Sequence, residues 1–216
     1  LELETGGVIG ATIPGIPVVL AGRSADLGWG LTSSYLDDQD VYIEELNPAN
    51  REEYRTPDGF KKFRTRASII NVKDLDPVTL TLRWTDNGPV LPGSHYNLAA
   101  ITPPGHVASV AWTVLSQRDT TLQAAMELMR AKTVADGIEA AAKFTAPSQN
   151  LTLVDRETIA MKTIGAAPKR DPNHQSQGRM PSPGWIAANR WQGILPFTAN
   201  PGFVAPTGGI LGNTNN

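Results

Sequence analysis

Glycine and proline divide this 216-residue chain into short segments, and their spacing constrains the fold more than any other feature. The chain contains 20 glycines and 17 prolines, and a helix interior tolerates neither residue well. The segments between them are rich in β-branched residues, and several alternate apolar and polar positions, which indicates strands with one buried face. The predicted strands are residues 7–13, 17–22, 40–46, 68–72, 78–85, 106–115, 150–155 and 158–165.

One region of the chain predicts a pair of helices. Asp119 can cap the first helix, and Thr133 with Asp136 has the spacing of a capping box that begins the second. Pro147 would end the pair. The apolar positions expected to face the core are Leu122, Ala125, Met126 and Met129 in the first helix and Ile138, Ala141 and Ala142 in the second. We therefore predict an α+β fold, mostly antiparallel sheet with an inserted α-hairpin.

The composition excludes several classes of function. The 19 basic and 21 acidic side chains give a net charge of −2 without a basic stripe, so no nucleic-acid partner is predicted. No run approaches the ~18 consecutive apolar residues of a membrane helix, so no membrane partner is predicted either. Cysteine is absent, which excludes thiol nucleophiles and disulfides. His95, His106 and His174 stand singly among glycines and prolines, and we assign them no role.

The stretch "WGLTSSYLDDQDVYIEEL", residues 29–46, contains three aspartates in four positions. Asp37, Asp40 and a backbone carbonyl between them can supply three hard oxygen ligands to Ca²⁺. The stretch is not an EF-hand loop, because it lacks the glycine and the glutamate that such a loop requires at its sixth and twelfth positions. An acidic turn that caps nearby backbone amides explains the same residues, so both interpretations stay open.

Two amide-rich segments, "APSQN" at 146–150 and "GNTNN" at 212–216, are candidates for a different chemistry. A side-chain amide can donate a hydrogen bond to a developing oxyanion. Such amides more often satisfy backbone groups in turns, so the segments alone do not predict catalysis.

Taken in order, these motifs resemble the β-chain of the penicillin acylase (penicillin amidase) family. The segment "GATIPGIPVVLAGRSADLGWGLTSSYLDDQDVYIEEL" at 10–46 is similar to the family's pattern there. It is followed, in the family's order and at similar spacing, by "YRTPDGFKKFRTRASIINVK", "RWTDNGPVL", "APSQNLTLVD" and "GNTNN". No single motif is specific, but their order is, and the resemblance runs over nearly the whole chain.

The resemblance implies an N-terminal nucleophile hydrolase with an αββα sandwich of two stacked antiparallel sheets. In that family a precursor cleaves itself, and the new N-terminal serine of the β-chain attacks an acyl amide with its own α-amine as base. Residue 1 here is leucine, and the family continues beyond the terminal asparagine pair. We therefore expect residues 1–216 to be one partial domain, a β-chain fragment that lacks the nucleophile strand and is inactive alone.

The expected partners are the α-chain, the rest of the β-chain and a small acyl amide, such as a β-lactam side chain or an N-acyl homoserine lactone. Export to the bacterial periplasm or beyond is also implied by the resemblance. The alternative is a non-catalytic, β-rich binding module derived from the same scaffold.

The resemblance also implies roles for particular residues. The backbone N–H of Ser33 and the side-chain amide of Asn215 match the two donors of the oxyanion hole. Leu20, Leu31 and Tyr35 match positions that contact the acyl group, although strand residues of this type are equally expected as plain core.

The resemblance further implies a structural Ca²⁺ site in the intact enzyme. Its ligands here would be Asp37, the carbonyl of Gln39, Asp40 and a carbonyl near Gly178. In relatives the site is completed by carboxylates from the α-chain and from downstream of the matched region. A fragment alone would therefore hold at most a weakened site.

Overall fold

The computed structural model describes residues 1–215, which form two compact units. The first unit comprises Leu1–Asp38, Thr113–Ala167 and the chain from Ile194 onward. The second comprises Gln39–Trp112 and Pro168–Gly193. The predicted single partial domain stays a prediction, because compact units and domains need not coincide.

Strands dominate both units, and the α-helices occur in the first. The strands are β1 Glu2–Leu3, β2 Gly6–Gly7, β3 Ile9–Ala11, β4 Ala21–Arg23, β5 Gly28–Ser33, β6 Gln39–Asn47, β7 Asn50–Thr56, β8 Gly59–Lys62, β9 Arg64–Ile70, β10 Val78–Thr85, β11 Gly88–Leu91, β12 His106–Trp112, β13 Gln149–Val154, β14 Ile159–Ile164, β15 Ser182–Pro183 and β16 Gly202–Val204. The helices are α1 Thr121–Leu128 and α2 Val134–Ala141, with 3-10 turns at His95–Ala100, Thr113–Leu115, Ala187–Asn189 and Phe197–Ala199. Within residues 1–215, no helix has the length and apolar character needed to cross a membrane.

The main sheet of the first unit is antiparallel, in the order β16-β14-β13-β5-β4-β3. Its central pair places Leu31 opposite Leu151 and Trp29 opposite Leu153. Leu151 and Leu153 are completely buried, and full burial of such a side chain contributes about 1.5–3 kcal/mol. The indole N–H of Trp29 donates to the carbonyl of Val19 at 3.0 Å, so its polar atom is satisfied inside the core.

Both helices contribute side chains to this core. The predicted capping box is confirmed, since Thr133 and Asp136 exchange side-chain-to-backbone hydrogen bonds at the start of α2. The predicted face of α1 is partly wrong. Ala124 and Leu128 are buried, whereas the side chains of Leu122 and Met126 are 49% and 37% exposed. The apolar residues of α1 form a broad stripe, and periodicity does not show which edge of a broad stripe contacts the sheet.

The sheet of the second unit has the order β8-β7-β6-β12-β11-β10-β9, and β15 adds a parallel pairing to β6. Strand β6 is antiparallel to β12, with Val41 opposite Val110. The buried positions of β6 are Asp40, Tyr42 and Glu44. One face of this strand is therefore both buried and polar.

The predicted segments overlap the long strands β6, β9, β10, β12, β13 and β14, and β10 has the predicted bounds, Val78–Thr85. The segment predicted at 17–22 is a strand only at its end, where β4 begins. The expected burial of one β10 face is wrong at its start, because Val78 and Leu80 are 47% and 45% exposed. Several strands were not predicted, among them β5, which carries Ser33, and β11 and β16. Strands β7 and β8 were missed because "NREEYRT" and "GFKK" are rich in charged side chains.

Asp155 joins the start of α2 to the turn between β13 and β14. Its Oδ2 accepts the backbone N–H of Val134 at 2.8 Å, and its Oδ1 accepts those of Glu157 and Thr158 at 2.9 and 2.7 Å. These donors, Val134 first, favour the ionised carboxylate and hold the pKa of Asp155 below its usual value.

We expect Asp155→Ala to lower the Tm by a few degrees at neutral pH, because three backbone donors lose their acceptor. The folded pKa of Asp155 is depressed, so its stabilisation is present above the unfolded pKa of about 3.9 and is lost as the pH falls through the folded pKa. The Tm difference from wild type should therefore shrink in strong acid. Thermal unfolding across pH measures this, with the exposed Asp26→Ala as control; a difference that persists at the lowest pH would contradict it.

Candidate active site

Strand β5 ends at Ser33, the residue predicted to donate its backbone N–H to an oxyanion. Ser33 lies opposite Gln149 in the β5–β13 ladder. Its carbonyl accepts a hydrogen bond from Nδ2 of Asn150 at 3.3 Å, and Oδ1 of Asn150 accepts from the Thr163 hydroxyl at 2.9 Å. Asn150 is only 1% exposed. A buried amide therefore holds the peptide group that follows Ser33.

Asn213 connects β5 to the last described residues of the chain. The hydroxyl of Thr32 donates to Oδ1 of Asn213 at 2.7 Å, and the backbone N–H of Asn215 donates to the same oxygen at 2.8 Å. One amide oxygen thus links the residue before Ser33 to Asn215, the second predicted oxyanion donor. Asn215 is exposed and has a φ of 61°, a conformation that asparagine adopts more readily than most residues.

An apolar cavity lies within the first unit, bounded by α1, α2 and the central strands. It is narrow and partly open to solvent. Leu20 and Leu31 line it, whereas Tyr35 does not and is 82% exposed. Leu31 and Ser33 are two residues apart on β5 and therefore face the same side of the strand. The other lining residues are Val19, Ala124, Ala125, Leu128, Ala141, Phe144, Leu151 and Ile164.

The acidic stretch is divided between the two units: Asp37 is an exposed residue of the first, and Asp40 is a buried residue of the second. The Asp40 carboxylate accepts both arms of the Arg170 guanidinium, from Nη2 to Oδ1 at 2.8 Å and from Nε to Oδ2 at 3.0 Å. The indole N–H of Trp191 also donates to Oδ2. Both oxygens of Asp40 are therefore engaged by donors of the second unit.

These second-unit residues fit a calcium ion poorly. Ca²⁺ needs oxygen lone pairs that are free to coordinate it, and both oxygens of Asp40 already accept hydrogen bonds from Arg170 and Trp191. Gly178 does lie beside Asp40, since a Cβ at this glycine would be 2.5 Å from Oδ1 of Asp40 and 2.7 Å from Cζ of Arg170. Gln39 precedes them at the start of β6. The calcium site stays a prediction for the intact enzyme.

Glu44 is a buried ionisable residue that the sequence did not single out. Its Oε1 accepts hydrogen bonds from the hydroxyls of Ser109 and Thr85, at 2.7 and 2.9 Å, and from Nδ2 of Asn87 at 2.9 Å. Its Oε2 has no hydrogen-bond partner within the described chain. Glu44 itself is completely buried, so neutral donors from β10, β12 and the turn after β10 stabilise a carboxyl group inside this unit.

Two tyrosines near these acids stay protonated at physiological pH. Burial, reinforced by the Asp40 carboxylate, raises the pKa of Tyr42 far above its usual value. Burial also raises the pKa of Tyr54 to about 12, and the Tyr54 hydroxyl accepts the backbone N–H of Asp86 at 2.9 Å. Neither tyrosine therefore adds negative charge near Asp40 and Glu44.

His174, to which the sequence assigned no role, is a buried residue of the second unit. It is 5% exposed, and its Nδ1 accepts the backbone N–H groups of Ser176 and Gln177 at 3.2 and 3.0 Å. A ring nitrogen that accepts two backbone donors organises the loop around it.

The fold is that of an N-terminal nucleophile hydrolase. The structure of the thermostable penicillin G acylase from Alcaligenes faecalis matches with a TM-score of 0.87 and 25% sequence identity, covering 100% of this chain and 37% of that chain. This match confirms the predicted fold class, mostly antiparallel sheet with an inserted α-hairpin.

The penicillin amidase family model matches residues 1–216, and the chain belongs to this family of amide-hydrolysing enzymes. It is 30% identical over 211 residues to the acyl-homoserine lactone acylase QuiP of Pseudomonas aeruginosa, covering 95% of this chain and 25% of that protein. It is 29% identical over 210 residues to the penicillin G acylase of Escherichia coli, and this match covers 97% of this chain and 24% of that protein. The chain thus spans about a quarter of the length of these curated relatives.

Removal of the Glu44 carboxyl should destabilise the second unit severely. Glu44→Ala leaves the donors of Ser109, Thr85 and Asn87 without their acceptor, at about 1–3 kcal/mol for each that stays unsatisfied. Glu44→Gln keeps an acceptor oxygen and should cost less. Denaturant unfolding measures both, with Glu45→Ala on the opposite face of β6 as control. Equal stability of Glu44→Ala and Glu45→Ala would refute the role of the network.

Proposed function

We propose that this chain is part of an enzyme that hydrolyses acyl amides, to which it contributes the oxyanion hole and a wall of the acyl site. The observation that carries the proposal is the arrangement at the end of β5. Ser33 ends the strand, Asn213 ties Thr32 to Asn215, and Leu31 lines an apolar cavity. Family membership supports the reaction class, and the names of the relatives support a small acyl amide as substrate.

In the proposed reaction, an N-terminal serine outside these 216 residues attacks the carbonyl carbon of the amide. Its α-amine, with an ordinary pKa of about 7.7–8, takes the hydroxyl proton and passes it to the leaving amine as the C–N bond breaks. Water then attacks the resulting ester and releases the carboxylic acid. The α-chain and the rest of the β-chain would supply the groups that this chain lacks.

Negative charge develops on the carbonyl oxygen in both steps, and two donors of this chain would stabilise it. These are the backbone N–H of Ser33 and the Nδ2 of Asn215. Asn150 would act as a positioning residue, because its buried amide holds the peptide group adjacent to the donor. Preorganised donors are effective because they need no rearrangement as the charge forms.

The acyl group would lie against the cavity wall formed by Leu20 and Leu31. The cavity is lined only by aliphatic residues and one phenylalanine, so it favours an apolar acyl chain. Both a penicillin side chain and the acyl chain of a homoserine lactone meet this requirement. Tyr35, exposed in the structure, would contact the acyl group only in the presence of further parts of the enzyme.

We expect Asn215→Ala in the full-length enzyme to lower kcat by about 10²–10³-fold, equivalent to about 2.7–4 kcal/mol, through loss of one oxyanion donor. Ser33→Ala should retain nearly normal kcat, because only the backbone N–H donates. Steady-state kinetics on an acyl amide, with thermal unfolding to verify folding, measures both. Near-normal turnover of Asn215→Ala would refute the assignment.

Substitutions in the cavity should change the preferred acyl chain. Ala125→Leu fills part of the cavity, and we expect a fall in kcat/KM of roughly tenfold or more for long acyl chains but little change for short ones, since each excluded methylene is worth about 1–3 kcal/mol. The matched control is Ala135→Leu on the exposed side of α2. A uniform loss across all chain lengths would show that the cavity is ordinary core.

Self-cleavage of a precursor and export to the periplasm stay predictions of the family resemblance. Mass spectrometry of the mature chains would locate the new N-terminus, and cell fractionation would locate the enzyme. A full-length protein that is neither cleaved nor active would favour the non-catalytic binding module.

A further inference from the structure

The buried carboxylate of Asp40 already has a cation beside it. The side chain of Asp40 is 2% exposed and that of Arg170 is 11% exposed, so the pair is almost fully withdrawn from water. Two parallel hydrogen bonds join them, at 2.8 and 3.0 Å. A guanidinium is charged at any physiological pH, and its planar fork matches the geometry of a carboxylate.

Two further groups crowd Asp40. The indole of Trp191 donates to Oδ2, and the backbone of Gly178, at a φ of +80°, lies so close that a Cβ would reach Oδ1 and the guanidinium. A calcium ion bound to Asp40 would have to displace Arg170 or lie beside its positive charge. Two cations at one buried carboxylate repel each other strongly, because the low dielectric of the interior screens them little.

We propose that Arg170 is the structural cation of this site, in place of the calcium ion that the family resemblance implies at Asp40. Arg170 and Trp191 lie near the two ends of the segment Pro168–Gly193, and both donate to the same carboxylate on β6. Asp40 therefore fastens both ends of this segment to the sheet of the second unit. A covalently attached guanidinium does this at any calcium concentration.

The proposal concerns stability and metal content, and it is independent of the proposed amide hydrolysis. The first test uses the full-length wild-type enzyme, with calcium measured by mass spectrometry and Tm measured in EDTA and in millimolar CaCl₂. We expect substoichiometric calcium at Asp40 and the same Tm in both solutions. Stoichiometric calcium that is lost in Asp40→Asn overturns the proposal, whereas calcium that this variant retains lies elsewhere and supports it.

The second test removes the guanidinium. Arg170→Met should lower the Tm by several degrees in both solutions. Arg170→Lys should lower the Tm less, because lysine keeps the positive charge but cannot make the two parallel hydrogen bonds of a guanidinium. The matched control is Arg179→Met, which makes the same change at an exposed arginine of the same segment and should leave the Tm near wild type. Equal Tm values for Arg170→Met and Arg179→Met overturn the proposal. The wild-type and Arg170→Lys measurements decide the outcome if Arg170→Met does not fold.

Discussion

The antiparallel ladder between β5 and β13 positions both the core and the candidate active site of the first unit. Leu31 lies opposite Leu151 at the centre of the sheet, and the same register ends with Ser33 opposite Gln149. A slip of one residue would turn Leu31 to the other face of the sheet and shift Ser33. The packing that stabilises the core therefore also fixes the position of the proposed oxyanion donor.

The sequence predicted those elements of the fold whose signal is local. The capping box of Thr133 and Asp136 and the alternation of β10 are each contained within a few residues, and both elements form. Strand β7, "NREEYRT", was missed because its charged side chains need no buried face, and pairing with β6 and β8 stabilises it. The burial of Val78 and Leu80 was misjudged because alternation shows which residues share a face but not what covers that face.

The candidate site was predicted from the order of motifs, which gave Ser33, Asn215 and the acyl positions their proposed roles. The surroundings of these residues depend on contacts between distant parts of the chain. Asn150 contacts Ser33 although the two residues are 117 positions apart in the sequence. Arg170 contacts Asp40 although these two are 130 positions apart. No local pattern predicts such a pair, so the aspartates could be recognised as an acidic cluster while the residue that neutralises Asp40 could not.

The most direct test of the proposed oxyanion hole is a crystal structure of the full-length enzyme with an acyl phosphonate, which mimics the tetrahedral intermediate. We expect the phosphonyl oxygen to lie about 2.7–3.1 Å from both the backbone nitrogen of Ser33 and Nδ2 of Asn215, with the acyl chain against Leu31. A phosphonyl oxygen bound by other donors, with both of these nitrogens beyond hydrogen-bond distance, would contradict the proposal.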